Sequence, residues 1–218
     1  MVLYKHSDGP KSNMPISNNL YGQLQKDILT GKLKKGQKLT EQAICEEYNV
    51  SRTPVREALR QLENEGLVEN VLNRGSFVVG ISRQDFEDMF ELRKIYEVQA
   101  VKWAIERITD EEMEELDETF EFMEFYTLRN DIDKMLTINE GFHQIIYNAT
   151  HNRMLQKFLS SYQVYLKYLR RDEEYPDDYL ATVLEEHRQI FKAFIEKDVE
   201  AGVEAMEKHI TQSKVRRF

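Results

Sequence analysis

From Ser82 to the C-terminus, apolar residues recur at the three- and four-residue spacing of a helix with hardly a break. No other feature of the chain restricts its fold as strongly. Only 9 Gly and 4 Pro occur in 218 residues, too little punctuation for an all-β protein. Segments 83–107, 109–128, 131–149, 152–172, 177–197 and 199–214 read as six helices. They are separated at Asn130-Asp131, His151-Asn152, Tyr175-Pro176 and Asp198. Thr109-Asp110-Glu111-Glu112 has the form of a capping box. Six helices on short links predict an all-α antiparallel bundle over 83–216. The acidic run Asp172-Glu173-Glu174-Tyr175-Pro176-Asp177-Asp178 reads as a solvated turn, because its spacing fits no calcium loop. Phe120, Phe122, Phe125 and Tyr126 read as core or dimer surface.

No stretch approaches the ~18 apolar residues of a membrane span, and Met1–Pro10 lacks the apolar core of a signal peptide. Cys45, the single cysteine, has no internal partner. These features predict a cytoplasmic protein with no membrane partner.

The net charge of −9 argues against nucleic acid until it is divided along the chain. Residues 1–80 hold 11 Lys and Arg against 9 Asp and Glu, while the remainder holds 19 against 30. A mildly basic head on an acidic body can still meet phosphate, because the field near the contact surface decides.

Within the head, residues 1–17 are polar and aperiodic and read as a flexible arm. Leu20, Leu24 and Ile28 mark a first helix that Gly31 stops. Thr40 is placed to cap a short helix from Glu41 to about Tyr48, with Ala43, Ile44 and Tyr48 as its inner face. Ser51 can cap the next helix, with Pro54 in the first turn, where a missing N–H costs nothing. Val55, Leu59 and Leu62 face inward and Gly66 ends the run. Leu67–Val71 and Ser76–Val79 then read as two strands around Asn73-Arg74-Gly75. Residues 18–80 thus predict a helix-turn-helix followed by a β-hairpin wing.

This arrangement suits DNA. The N-terminus of the second helix offers N–H groups to phosphate, and Ser51 and Thr53 add hydroxyls. Arg52 and Arg56, four residues apart, share a face and can reach a groove, where Arg grips guanine with two hydrogen bonds. Gly75 lets the wing backbone approach the duplex while Arg74 reaches the minor groove or a phosphate. Taken singly, each arginine is better explained by a solvated face. The ordered set is far harder to obtain by accident.

Lys35-Gly36-Gln37-Lys38-Leu39-Thr40-Glu41, Val50-Ser51-Arg52-Thr53-Pro54-Val55-Arg56-Glu57-Ala58-Leu59, Glu65-Gly66-Leu67-Val68 and Arg74-Gly75-Ser76-Phe77-Val78 resemble the winged helix-turn-helix of GntR-type bacterial transcription regulators. The resemblance implies DNA contacts by Gln42, Ser51, Arg52, Thr53, Arg56, Arg74 and Gly75. Gln42 departs from the arginine common at its position.

In the body, His187 lies on an apolar stripe with Leu180, Val183, Leu184, Ile190, Phe191 and Phe194. His143 adjoins Phe142 and Ile146, with Asn139 one turn earlier, and His209 adjoins Met206 and Ile210. Three inward imidazoles can converge on a divalent metal, or each can be a satisfied core histidine. Spacing alone does not decide. His6 in the arm and His151 at a loop are weaker candidates.

Glu91-Leu92-Arg93 with Glu97, Asn139-Glu140-Gly141-Phe142-His143, Glu186-His187-Arg188 and Met206-Glu207-Lys208-His209-Ile210 resemble the all-helical FCD effector domain of the FadR subgroup. In metal-binding members, three His and an Asp four residues before the first form the ligand set. The resemblance implies His143, His187 and His209 as ligands, with Asn139 standing where Asp is usual, and zinc or nickel as the metal. An amide leaves the ion its full charge, which favours a small carboxylate effector. Arg93 either grips that effector or pairs with Glu97 at i+4.

The expectation is a homodimeric regulator reading a palindromic operator in double-stranded DNA. One alternative is a metal-free pocket for a larger apolar ligand. Another is a metal-dependent hydrolase, which lacks a placed general base, since Glu140 and Glu186, though close to the histidines in sequence, point elsewhere on their helices. The head would then have no purpose, so the chain is not read as an enzyme.

Overall fold

The computed structural model describes residues 16–168 and 175–216. Residues 1–15 of the expected arm lie outside them, as do the end of the helix expected over 152–172 and Asp172, Glu173 and Glu174 of the acidic run. The chain divides into two compact units, meeting in sequence at Ser82 and Arg83.

The first unit contains α1 (Ile16–Leu29), β1 (Lys38–Leu39), α2 (Glu41–Tyr48), α3 (Arg52–Asn64), β2 (Val68–Val71) and β3 (Gly75–Val78). Residues 16 and 17 are thus helical rather than part of an arm. Thr40 caps α2 by accepting from the Ala43 N–H at 3.2 Å. Asn49, at φ +50°, turns the chain out of α2 in the left-handed region that Asn tolerates. Ser51 occupies the N-cap of α3, but its side chain makes no capping bond. Leu20, Leu24, Ile28, Ile44, Val55, Leu59 and Leu62 form the core. Ala43 is exposed, contrary to the inner face expected for it. On so short a helix the inward stripe narrows to Ile44 and one edge of Cys45 and Tyr48. The Tyr48 hydroxyl donates to buried Asp27 at 2.7 Å, tying α2 to α1.

The wing has three strands in the order β1-β3-β2, all antiparallel. Sequence had suggested two. Lys38-Leu39 pairs with Phe77 and Ser76 and covers the open edge of β3.

The second unit holds α4 (Arg83–Arg107), α5 (Asp110–Leu128), α6 (Ile132–Ala149), α7 (Arg153–Tyr168), α8 (Tyr179–Glu196) and α9 (Val199–Val215). Thr109 and Glu112 close a complete capping box, and Asp131 and Asp198 cap α6 and α9. α4 runs 25 residues with neither Gly nor Pro. α9 packs against α4 and α8, and α6 packs against α4 and α5. Gly202 makes the α4–α9 approach possible, since a Cβ there would stand 2.4 Å from Ile105 Cδ1 and 3.0 Å from Val101 Cγ1. Phe142, Met135, Ile146, Met206 and Ile190 are fully buried around the centre of this bundle. Among the described residues no helix is long and apolar enough to cross a membrane.

Candidate metal centre and nucleic-acid interface

The bundle interior brings together His143 from α6, His187 from α8 and His209 from α9, all buried. One ring nitrogen of each lies within 4.8 Å of the others. The ring centroids are 5.3 Å apart for His143 and His187, 5.2 Å for His143 and His209, and 4.5 Å for His187 and His209. Phe142 packs edge-on against His187 at 5.2 Å and closes one side.

Each imidazole is oriented by its other nitrogen. His143 Nδ1 stands 2.8 Å from Glu97 Oε2, His187 Nδ1 2.7 Å from the Val183 carbonyl, and His209 Nδ1 2.9 Å from Glu186 Oε2. Carboxylates and carbonyls accept only, so each Nδ1 carries the proton and each Nε2 presents a lone pair. His143 Nε2 and His187 Nε2 face one another at 3.3 Å. Two bare lone pairs at that distance repel, and a cation held between them would turn the contact into a favourable one. Burial, then the charges of His209 and His143, pushes His187 well below the usual imidazole pKa. Burial, then His143 and Arg93, does the same to His209. Neither His187 nor His209 therefore takes up a proton readily at neutral pH.

The residues fit a metal on two counts. Nitrogens bound tetrahedrally to zinc at about 2.0–2.1 Å stand about 3.3–3.4 Å apart, matching the His143–His187 separation. Asn139, one turn before His143 on α6, has a buried Oδ1 with no hydrogen-bond partner. A buried carbonyl oxygen without a donor is costly and is a suitable ligand for a divalent cation.

Behind His143, Glu97 is fully buried and also accepts from Arg93 Nε. Burial works to raise the Glu97 carboxyl, but Arg93 and His143 outweigh it and hold the group well below the carboxylate range. Arg93 is buried, paired with Glu97, and lies 5.6 Å from the Phe90 ring centroid. Glu186, dismissed from sequence because it precedes His187, reaches His209 instead, because α9 lies along that flank of α8. Glu97 and Glu186 are the two site residues whose roles sequence missed. An acid within a turn of an inward Arg or His was the signal available. Glu140, by contrast, faces Lys167 at 3.6 Å. His151 pairs with Glu112 at the surface, apart from the cluster.

In the first unit, Ser51, Arg52 and Thr53 are exposed at the N-terminus of α3, and Arg56 follows one turn later. Arg56 Nε donates to Glu41 Oε1 at 2.8 Å, which sets the start of α2 beside the second turn of α3. Gln42 is exposed on α2 and donates to Glu46 at 3.0 Å. Arg74 and Gly75 form the wing tip. Gly75, at φ +99°, holds a conformation other residues rarely adopt, and Lys38 Cε lies 3.3 Å from where its Cβ would be. Arg74 is 5.8 Å from the Phe77 ring centroid.

A winged helix-turn-helix carried in one chain with a helical bundle is the make-up of a transcription regulator. Residues 16–78 match the gntR family of bacterial regulatory proteins, and residues 88–212 match the FCD domain. The chain belongs to the GntR family of bacterial transcription regulators and carries an FCD domain; it is a regulator and not an enzyme. An uncharacterized HTH-type transcriptional regulator, YdhC of Bacillus subtilis, is 29% identical over 86% of this chain and 84% of its own. The galactonate operon transcriptional repressor of Escherichia coli is 27% identical over 84% of this chain and 88% of its own. The structure of E. coli McbR/YncC superposes with a TM-score of 0.72 over 93% of this chain and 96% of that one, at 22% identity.

Proposed function

We propose that the chain is a homodimeric regulator of the FadR subgroup that binds a palindromic DNA operator and answers to a small carboxylate effector. The effector is received at a divalent metal held by His143, His187, His209 and Asn139. The apposed Nε2 lone pairs of His143 and His187 at 3.3 Å carry this reading. Zinc suits a buried three-imidazole set, and nickel is the alternative. When bound, the cation supplies fixed positive charge and a coordination position for an oxygen ligand.

The residues around it determine which ligand is received. All four candidate ligands are neutral, and each carboxylate behind a histidine is matched by an arginine, Glu97 by Arg93 and Glu186 by Arg216. Among the described residues none offsets the charge of the cation, so an anion completes the site. Arg93 commits its Nε–H and its charge to Glu97, and its terminal N–H groups serve an effector carboxylate. The galactonate operon relative is named for an organic acid, in keeping with this class.

In the head, Ser51, Arg52, Thr53 and Arg56 enter the major groove, Gln42 lies beside them, and Arg74 and Gly75 approach the backbone or minor groove. Two such heads, one per protomer, read half-sites about one helical turn apart. The effector shifts DNA affinity by binding one arrangement of the dimer better than another.

The test is metal content and DNA binding of the same preparation. Dialysed protein should retain about one zinc or nickel per chain, and His187→Ala should lose it while still binding duplex DNA. A His187→Ala protein with unchanged metal removes His187 from the ligand set.

A further inference from the structure

Glu186 receives three N–H donors. Arg216 contributes two, Nη1 to Oε1 at 2.6 Å and Nη2 to Oε2 at 2.7 Å, and His209 Nδ1 contributes the third, to Oε2 at 2.9 Å. The fork fixes the plane of the carboxylate, because a bidentate guanidinium leaves its partner little rotational freedom. With that plane fixed, Oε2 faces His209. The imidazole is then held in the tautomer that leaves Nε2 bare.

The two carboxylate relays differ in where their arginines come from. Arg93 reaches Glu97 from one turn away on the same helix. Arg216 stands at the C-cap of α9, seven residues beyond His209, and reaches across to α8. Helix ends open at little cost, so the last turn of α9 is the part of this relay most able to move. Lys214, in the same turn, pairs with Glu91 on α4 at 2.7 Å and touches no histidine.

We propose that Glu186 and Arg216 are positioning residues for the metal centre, and that metal uptake orders the last turn of α9 through His209. The proposal rests on the metal reading above. Coupling is reciprocal: if a firm Arg216 clamp favours the bare Nε2 of His209, engagement of that Nε2 firms the clamp. Replacing Glu186 by Gln reverses the hydrogen-bond demand. Arg216 claims the amide oxygen, the NH2 faces His209, and Nδ1 must then accept, which puts the proton on Nε2.

The full chain, stripped of metal with a chelator, is titrated with cobalt(II) against a chromophoric competitor while the cobalt visible absorption is recorded. Wild-type protein should bind one cobalt per chain. Glu186→Gln, Arg216→Ala and Arg216→Gln should each lose about 10- to 100-fold in affinity and shift the absorption bands. Arg216→Lys, which keeps the charge and one donor, should recover most of the affinity. Lys214→Ala should match wild type. Hydrogen exchange should slow in the last turn of α9 when metal is added to wild type, and not in Arg216→Ala.

The proposal is overturned if Glu186→Gln and either folded Arg216 variant bind cobalt with wild-type affinity and spectrum, or if Lys214→Ala weakens binding as much as Arg216→Ala. Failure of the wild-type chain to take up cobalt overturns the metal reading itself and this proposal with it, and the wild-type titration alone identifies that case.

Discussion

Glu97 on α4 accepts the Nδ1 proton of His143 on α6 at 2.8 Å, in a place where neither side chain meets solvent. Glu97→Gln removes a buried negative charge from between Arg93 and His143. Zinc affinity should fall about 10- to 100-fold in competition titrations. The metal-free protein should also melt lower, since the Arg93 guanidinium is left buried without its counter-charge. Zinc affinity equal to wild type would show that His143 needs no such support.

Asn139→Asp places a carboxylate where a buried amide oxygen has no donor. Zinc affinity should rise at least about tenfold, the added charge acting at close range in a buried site. Affinity for small carboxylates should fall, since the site would no longer carry the full charge of the ion. Isothermal titration with zinc and then with a panel of organic acids measures both. Unchanged zinc affinity would exclude Asn139 from the ligand set.

The metal-free protein should lose stability as pH falls below about 6.5. His187 and His209 have folded-state pKa values pushed well below the ordinary one. Below the unfolded value of ~6.5 the unfolded chain binds protons that the folded chain refuses, so stability rises with pH across that window. The slope is at most about 1.4 kcal/mol per pH unit for each histidine. Urea midpoints between pH 5 and pH 7.5 test it, and His187→Gln should flatten the profile.

Arg52→Ala and Arg56→Ala should each cost about 1–3 kcal/mol in operator binding if each arginine grips a base. The Arg56–Glu41 pair is solvent-exposed, and such pairs are worth about 0–1 kcal/mol, so the duplex can claim Arg56 from Glu41. Glu41→Gln should accordingly raise DNA affinity slightly, and less at high salt. Gel shifts at two salt concentrations separate these effects.

Gly202→Ala should destabilise the bundle by about 1–3 kcal/mol through overpacking, because its new methyl meets Ile105 and Val101. Ile105→Val alongside it should recover part of the loss. Additive losses in the double-mutant cycle would show that the two positions do not share the contact.

The helical body was legible because long stretches with one apolar face permit few other folds, and Thr109 and Glu112 mark a helix start unaided. β1 was not legible, since two residues carry no period and Lys38-Leu39 becomes a strand only by pairing with β3. Ala43 was misplaced because a helix of eight residues has too few turns to fix its inward direction. That His143, His187 and His209 face inward could be read from their apolar neighbours. Their meeting could not, because it depends on how α6, α8 and α9 are rotated against one another. Glu186 was lost to a sound rule applied to one helix alone: it does point away from His187, and a different helix supplies its partner.

The unbroken α4 joins Glu97, behind the imidazole cluster, to the chain leading into the bundle. Twenty-five residues at about 1.5 Å each make a rod some 37 Å long. With no Gly or Pro, it has no built-in joint between Arg93 and Arg83. Glu97 and Arg83 therefore lie on one uninterrupted span of helix, and any sharp change of direction is left to the short non-helical stretch after Gly80.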